Sequence, residues 1–119
     1  MTIHLMLGSQ AEQFVARHLE KQGFTILDQN YKKKFGEIDV IAIKADLLIF
    51  VEVKMRSKSY FDSAELITVT KQRKIINVAY EYISRYKHDD KTCRFDVALV
   101  GLQENNPHIT YISDAFGDL

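Results

Sequence analysis

Asp39 and Glu52 stand inside two apolar runs, Gly36-Glu37-Ile38-Asp39-Val40-Ile41-Ala42 and Phe50-Val51-Glu52-Val53-Lys54. Carboxylates are rarely fully buried unless they are paired or hold a metal. Two of them with a lysine in neighbouring buried strands therefore predict a shared ligand. A divalent cation at a phosphodiester-cleaving site fits that set best. A hard ion such as Mg2+ or Mn2+ takes oxygen ligands, and few protein carboxylates suffice because water and a substrate phosphate complete the shell. Such an ion polarises a phosphoryl oxygen and lowers the pKa of bound water. Asp39 and Glu52 are the expected ligands, with the main-chain carbonyl of Val53 as a third. Lys54 is expected to orient the attacking water or to stabilise developing charge. The competing reading is a cross-strand ion pair of Glu37 with Lys54, plus an aspartate capping a loop.

The elements that must position these residues form a hairpin. Lys44-Ala45-Asp46-Leu47 is the only polar interruption between the two runs, so they fold back as antiparallel strands. A two-residue loop at Ala45-Asp46 sets Ile41 opposite Phe50, Asp39 opposite Glu52 and Glu37 opposite Lys54. Directly opposed residues have Cβ atoms roughly 4.5–5.5 Å apart. Alternation then places Glu37, Asp39, Ile41, Ile43, Leu48, Phe50, Glu52 and Lys54 on one face. The other face is apolar: Ile38, Val40, Ala42, Ile49, Val51 and Val53. Ala-Asp is not a favoured hairpin turn, and a one-residue slip would send the acids to opposite faces.

Gly-Glu-Ile-Asp-Val-Ile-Ala at 36–42, with Phe-Val-Glu-Val-Lys-Met-Arg at 50–56, resembles the signature of the YraN family of bacterial proteins. Arg94-Phe95-Asp96-Val97 and Gly8-x-x-Ala11-Glu12-x-x-Val15-Ala16 resemble that family's later and earlier blocks, so the likeness covers nearly the whole chain. It implies a restriction-endonuclease-like fold, similar to archaeal-type Holliday-junction resolvases. In those nucleases the matching Asp, Glu and Lys form a metal-dependent site helped by a glutamate of the first helix. Carried over, these roles fall to Asp39, Glu52, Lys54 and Glu12. Resolvases of that group act as symmetric dimers, which makes a homodimer the expectation by analogy.

The remaining elements build around the hairpin. Ser9-Gln10-Ala11-Glu12 is a capping-box pattern that opens a helix carrying Ala11, Phe14, Val15 and Leu19 on one stripe and closing at Gly23. Glu12 thus has two readings, a cap on Ser9 or a member of the metal site. Phe24–Leu27 reads as a first strand. Met55 to Thr68 lacks a clear period and reads as a loop beside the site, where Tyr60 or Phe61 is an anchor or a base-stacking ring. Thr70 is the expected cap of a second helix, with Ile75, Val78, Ala79, Tyr82, Ile83 and Tyr86 at helical spacing. A strand at Phe95–Leu102, a turn at Asn105-Asn106-Pro107 and an edge strand at His108–Ser113 complete the order: helix, three strands, helix, two strands. This predicts one α/β domain over residues 1–119, a mixed sheet flanked by helices. Asp96 is expected at the surface or capping a loop, and Cys93 as a half-buried thiol.

Composition narrows the function classes. The net charge is zero, but residues 32–91 hold thirteen of the sixteen Lys and Arg against nine of the sixteen acids. Lys32, Lys33 and Lys34 precede the acids, and Arg56, Lys58, Lys71, Arg73 and Lys74 follow them. Phosphate contacts are expected from these runs because they flank the site on both sides. The four histidines are too scattered for a zinc site, and no glycine-rich phosphate loop exists. The apolar start Met1–Leu7 lacks basic residues and is too short to span a bilayer. The expectation is a cytoplasmic protein with no membrane partner. On these grounds the chain reads as a nuclease acting on DNA, including branched or irregular structures. The alternative is a nucleic-acid-binding or scaffolding module that keeps the fold without turnover.

Overall fold

The strands Gly36–Lys44 (β2) and Leu47–Met55 (β3) form the centre of the protein, as their apolar runs predict. The computed structural model describes residues 8–55 and 67–117. Helix α1 (Gly8–Lys21) and strand β1 (Thr25–Lys33) precede the hairpin. Helix α2 (Val69–Tyr86) and strands β4 (Thr92–Gln103) and β5 (Asn106–Phe116) follow it. The sheet order is β1-β2-β3-β4-β5, with β3 and β4 parallel and every other pair antiparallel. A parallel pair needs a crossover connection, and α2 lies in that connection.

The two helices cover opposite faces. Ala11, Val15 and Leu19 of α1 pack with Val40, Ala42, Ile49, Val51, Ala98 and Val100. Ile75, Val78, Ala79 and Tyr82 of α2 pack with Ile41, Leu48, Phe50, Phe95, Val97 and Leu99. Phe50 stacks on Phe95 and Phe95 on Phe116, with centroids 5.5 and 5.2 Å apart. Burying each such side chain contributes about 1.5–3 kcal/mol. Among the described residues no helix is long and apolar enough to cross a membrane.

The hairpin register is the expected one: Lys44 pairs with Leu47, Ile41 with Phe50 and Val40 with Val51. Ala45 takes a left-handed φ of 53° to close the two-residue loop without glycine. Ile38 departs from the expected alternation and joins the α2-side cluster rather than that of Val40. The break falls at Asp39, where the regular face assignment fails.

Other expectations need correction. Helix α1 already includes Gly8, so Ser9 lies inside it and is not its cap. Helix α2 is capped by Thr68, not Thr70: the Thr68 Oγ1 accepts from the Lys71 N–H at 3.1 Å. Strand β1 runs on to Lys33 because an irregularity between Ile26 and Asp28 and a left-handed Asn30 (φ 54°) bend a strand whose polar second half hides its period. The last turn is Glu104-Asn105, both with positive φ, so Asn106 and Pro107 belong to β5. Pro107 is tolerated there because β5 is an edge strand, as expected.

Asp96 is fully buried, contrary to the surface expectation. It accepts from Arg94 through both oxygens at 2.9 Å, from the Tyr111 hydroxyl at 2.6 Å and from the Asp114 N–H at 2.9 Å. The Tyr111 and Asp114 donors tie β5 to β4 where their register shifts, and Arg94 neutralises the carboxylate from within β4. Cys93 is half-buried, as expected, and burial raises its thiol above the ordinary range.

Candidate metal centre and phosphate cleft

Asp39 occupies a gap in the sheet. The β1–β2 pairing passes from Gln29–Val40 to Tyr31–Ile38, skipping Asn30 and Asp39, and the β2–β3 pairing ends at Val40–Val51. Asn is the residue that accepts a left-handed conformation most readily after glycine, so Asn30 supports this irregularity. The opening leaves the Val53 N–H unpaired by β2, and the Asp39 Oδ2 accepts from it at 2.8 Å. That bond orients the carboxylate. It is also how Val53 enters the site, through its N–H.

Glu52 keeps the parity of Phe50 and is only 5% exposed. Its Oε2 meets the Nζ of Lys71 at 3.2 Å. The Thr68 cap places Lys71 in the first turn of α2, from which its side chain reaches Glu52. Among the described residues Glu37 and Lys54 form no ion pair, and Lys71 supplies the counter-charge instead.

Asp39 and Glu52 open onto a cleft of about 740 Å3 between the β1–β2 hairpin and α2. Lys32, Lys33, Lys34, Lys71 and Lys74 line it with Glu37, Phe35, Gly36, Ile75 and Asn77. Gly36 lies where the hairpin leans closely on α2. A Cβ there would lie 3.1 Å from Val78 Cγ2 and 3.2 Å from the Lys74 carbonyl oxygen.

Burial first, then the Glu52 carboxylate, pushes Asp39 from 3.8 up to about 7, against the lowering effect of the Val53 N–H. Glu12, reaching in from α1, is also raised, chiefly by burial and then by Asp39, while Asn30 holds it down. Glu12 thus faces Asp39 and Asn30, not Ser9. Among the described residues no group of three or more His, Cys, Asp or Glu side chains forms a metal cage by itself. The arrangement offers one buried carboxylate, Glu52, a half-buried one, Asp39, and a third, Glu12, at the margin.

The predicted site residues divide as follows. Asp39, Glu52, Lys32, Lys33, Lys34 and Lys71 share the cleft, and Glu12 approaches Asp39 from the opposite face. Lys33 is partly committed, 3.6 Å from Glu81 and over the ring of Tyr31. Lys54 and Arg73 are not among the residues lining the cleft. Arg73 lies two residues from Lys71 on α2, where neighbours so spaced do not share a face. Arg56, Lys58, Tyr60 and Phe61 lie outside the described residues. Phe35 and Asn77 were missed by the sequence reading. An aromatic residue directly after three lysines was the available signal for Phe35.

A five-stranded mixed sheet flanked by helices, with paired acids in its central hairpin, defines the class. The chain belongs to the YraN family, the uncharacterised protein family UPF0102, whose sequence profile matches residues 11–100. That span takes in Glu12, Asp39, Glu52 and Lys71. The chain is similar to a UPF0102 protein of Syntrophus aciditrophicus, 39% identical over 117 residues that cover 98% of this chain and 92% of the relative. A UPF0102 protein of Rhodococcus opacus is 37% identical over 118 residues, covering 98% and 100%. One of Nitrosomonas europaea is 42% identical over 113 residues, covering 93% of each chain.

Proposed function

We propose that this protein is a cytoplasmic, metal-dependent nuclease that hydrolyses phosphodiesters in DNA, including branched or irregular structures, with a homodimer as the form that cuts two strands. One observation supports this most: a buried carboxylate, Glu52, and a half-buried one, Asp39, line one cleft together with five lysines. An oxygen-only pair in which burial, and then the neighbouring Glu52 carboxylate, raises Asp39 to about 7 suits a hard divalent cation such as Mg2+ or Mn2+. Asp39 and Glu52 would hold the ion, which when bound supplies Lewis-acid polarisation of the phosphate and a more acidic water.

The chain's own residues supply the rest. The Val53 N–H fixes the Asp39 carboxylate, and Lys71 holds Glu52 in place. Lys32, Lys34 and Lys74 meet the phosphates on either side of the acids. Lys71 is the amine nearest the carboxylates among the described residues, so it takes the charge-stabilising role expected of Lys54.

A second reading rests on the same ion pair. Lys71 already neutralises Glu52 within the chain, as a module that binds nucleic acid without cutting it would require. Incubation with linear, flapped and four-way DNA in Mg2+ or Mn2+ separates the two. The nuclease reading predicts cleavage that disappears in Asp39→Ala and Glu52→Ala with folding intact. Retention of DNA without cleavage by the unmodified protein would favour the binding module.

A further inference from the structure

We propose that Phe35, at the tip of the β1–β2 hairpin, is a stacking platform for an unpaired nucleobase beside the phosphates held in the cleft. The proposal rests on the nucleic-acid reading of the cleft and adds the feature of the substrate that it recognises.

Phe35 has no evident structural duty. It is 46% exposed and takes part in no ring contact among the described residues. It shares the two-residue loop with Lys34, yet neither has a positive φ, and phenylalanine is not a turn-forming residue. The core gains little from it, and the turn does not require it. Its position is nevertheless fixed. Lys33 pairs with Gly36 at the root of the loop, and Gly36 sits against Val78 and the Lys74 backbone, which holds the tip at the cleft wall.

The chemistry around the ring is that of a single-strand site. Lys32 and Lys34 make no ion pair among the described residues, and both line the cleft with Phe35, Asp39 and Glu52. Free lysines tracking a backbone beside an exposed ring are the components of such sites, where the ring stacks on any base. A base pair in the interior of a duplex offers no face to such a ring, because both of its faces are covered by the neighbouring pairs. Phe35 would therefore favour gaps, flaps and strand ends over matched duplex. This gives a physical basis for preference toward irregular structures.

The test is binding of the full chain in EDTA, without turnover, to gapped and matched DNA of equal length. The gapped DNA carries 2-aminopurine at an unpaired position. The expected result is quenching of that base and tighter binding to the gapped DNA. Phe35→Ala should lose about tenfold in affinity for the gapped DNA, the worth of one stacked base, and leave duplex binding unchanged. Phe35→Trp should retain the preference, and Phe35→Leu, apolar but without a π face, should behave like the alanine variant. Equal loss on both DNAs, or a leucine variant that behaves like wild type, overturns the stacking role. Failure of the unmodified chain to bind either DNA at low salt overturns the reading of the cleft as well. Cleavage surviving in Asp39→Ala would sink the metal-site reading and leave stacking standing.

Discussion

Replacing Asp39 by Asn should stabilise the protein at neutral pH in the absence of metal, although it removes a central residue of the proposed site. The Asp39 carboxyl titrates near 3.8 when unfolded and about 7 when folded, from burial and the neighbouring Glu52. Between those values the folded chain holds a proton that the unfolded chain has released. Unfolding therefore releases a proton, and stability falls as pH rises from about 4 to about 7, then levels off. At ~1.36 kcal/mol per pH unit, the full difference is about 4 kcal/mol. Asparagine is nearly isosteric, stays neutral, and keeps an oxygen for the Val53 N–H. Urea unfolding in EDTA should thus show Asp39→Asn gaining less than about 1 kcal/mol near pH 4 and about 3–4 kcal/mol near pH 8. Mn2+ at a hundredfold excess over its Kd should add about 2.7 kcal/mol to the wild type and nothing to the variant. A variant less stable than wild type at pH 8, or a difference that does not change with pH, would mean that Asp39 carries no such proton in the folded chain.

Other perturbations probe the surrounding parts. Lys71→Met removes the partner of a nearly enclosed Glu52. Because Lys71 is half exposed, the expected cost is about 1–2 kcal/mol rather than the ~3–5 kcal/mol of a fully enclosed pair; urea unfolding should record it, and saturating Mn2+ should reverse it. Asp96→Ala strands Arg94, the Tyr111 hydroxyl and the Asp114 N–H, so it should cost about 3–5 kcal/mol, with loss of amide protection in β5 by hydrogen exchange. Gly36→Ala drives a methyl into Val78 and the Lys74 carbonyl and should cost about 1–3 kcal/mol.

The sequence carried the central hairpin well, for a physical reason. Apolar runs on both sides of Lys44-Ala45-Asp46-Leu47 leave one register that buries them, and the strands adopt it. Pattern reasoning failed where the backbone becomes irregular. The left-handed Asn30 and the unpaired Asp39 have no periodic signature, so the shift of Ile38 to the α2 face was not legible. The length of β1 was hidden because its second half, Asp28 to Lys33, is largely polar and belongs to an edge strand. The acids of the site were legible because charge within apolar runs is conspicuous. Their cationic partner was not, since the approach of Lys71 depends on how α2 docks after its Thr68 cap. Phe35 escaped notice because a single aromatic residue after a lysine run has no meaning until the tip is seen to border the cleft.

The sharpest test of a metal at Asp39 and Glu52 is diffraction from crystals soaked in Mn2+, collected at a wavelength where manganese scatters anomalously. One anomalous peak is expected beside the carboxylates of Asp39 and Glu52, with the Lys71 ammonium displaced from Glu52. Crystals that take up no manganese there, with the Lys71–Glu52 pair intact, would contradict the metal site.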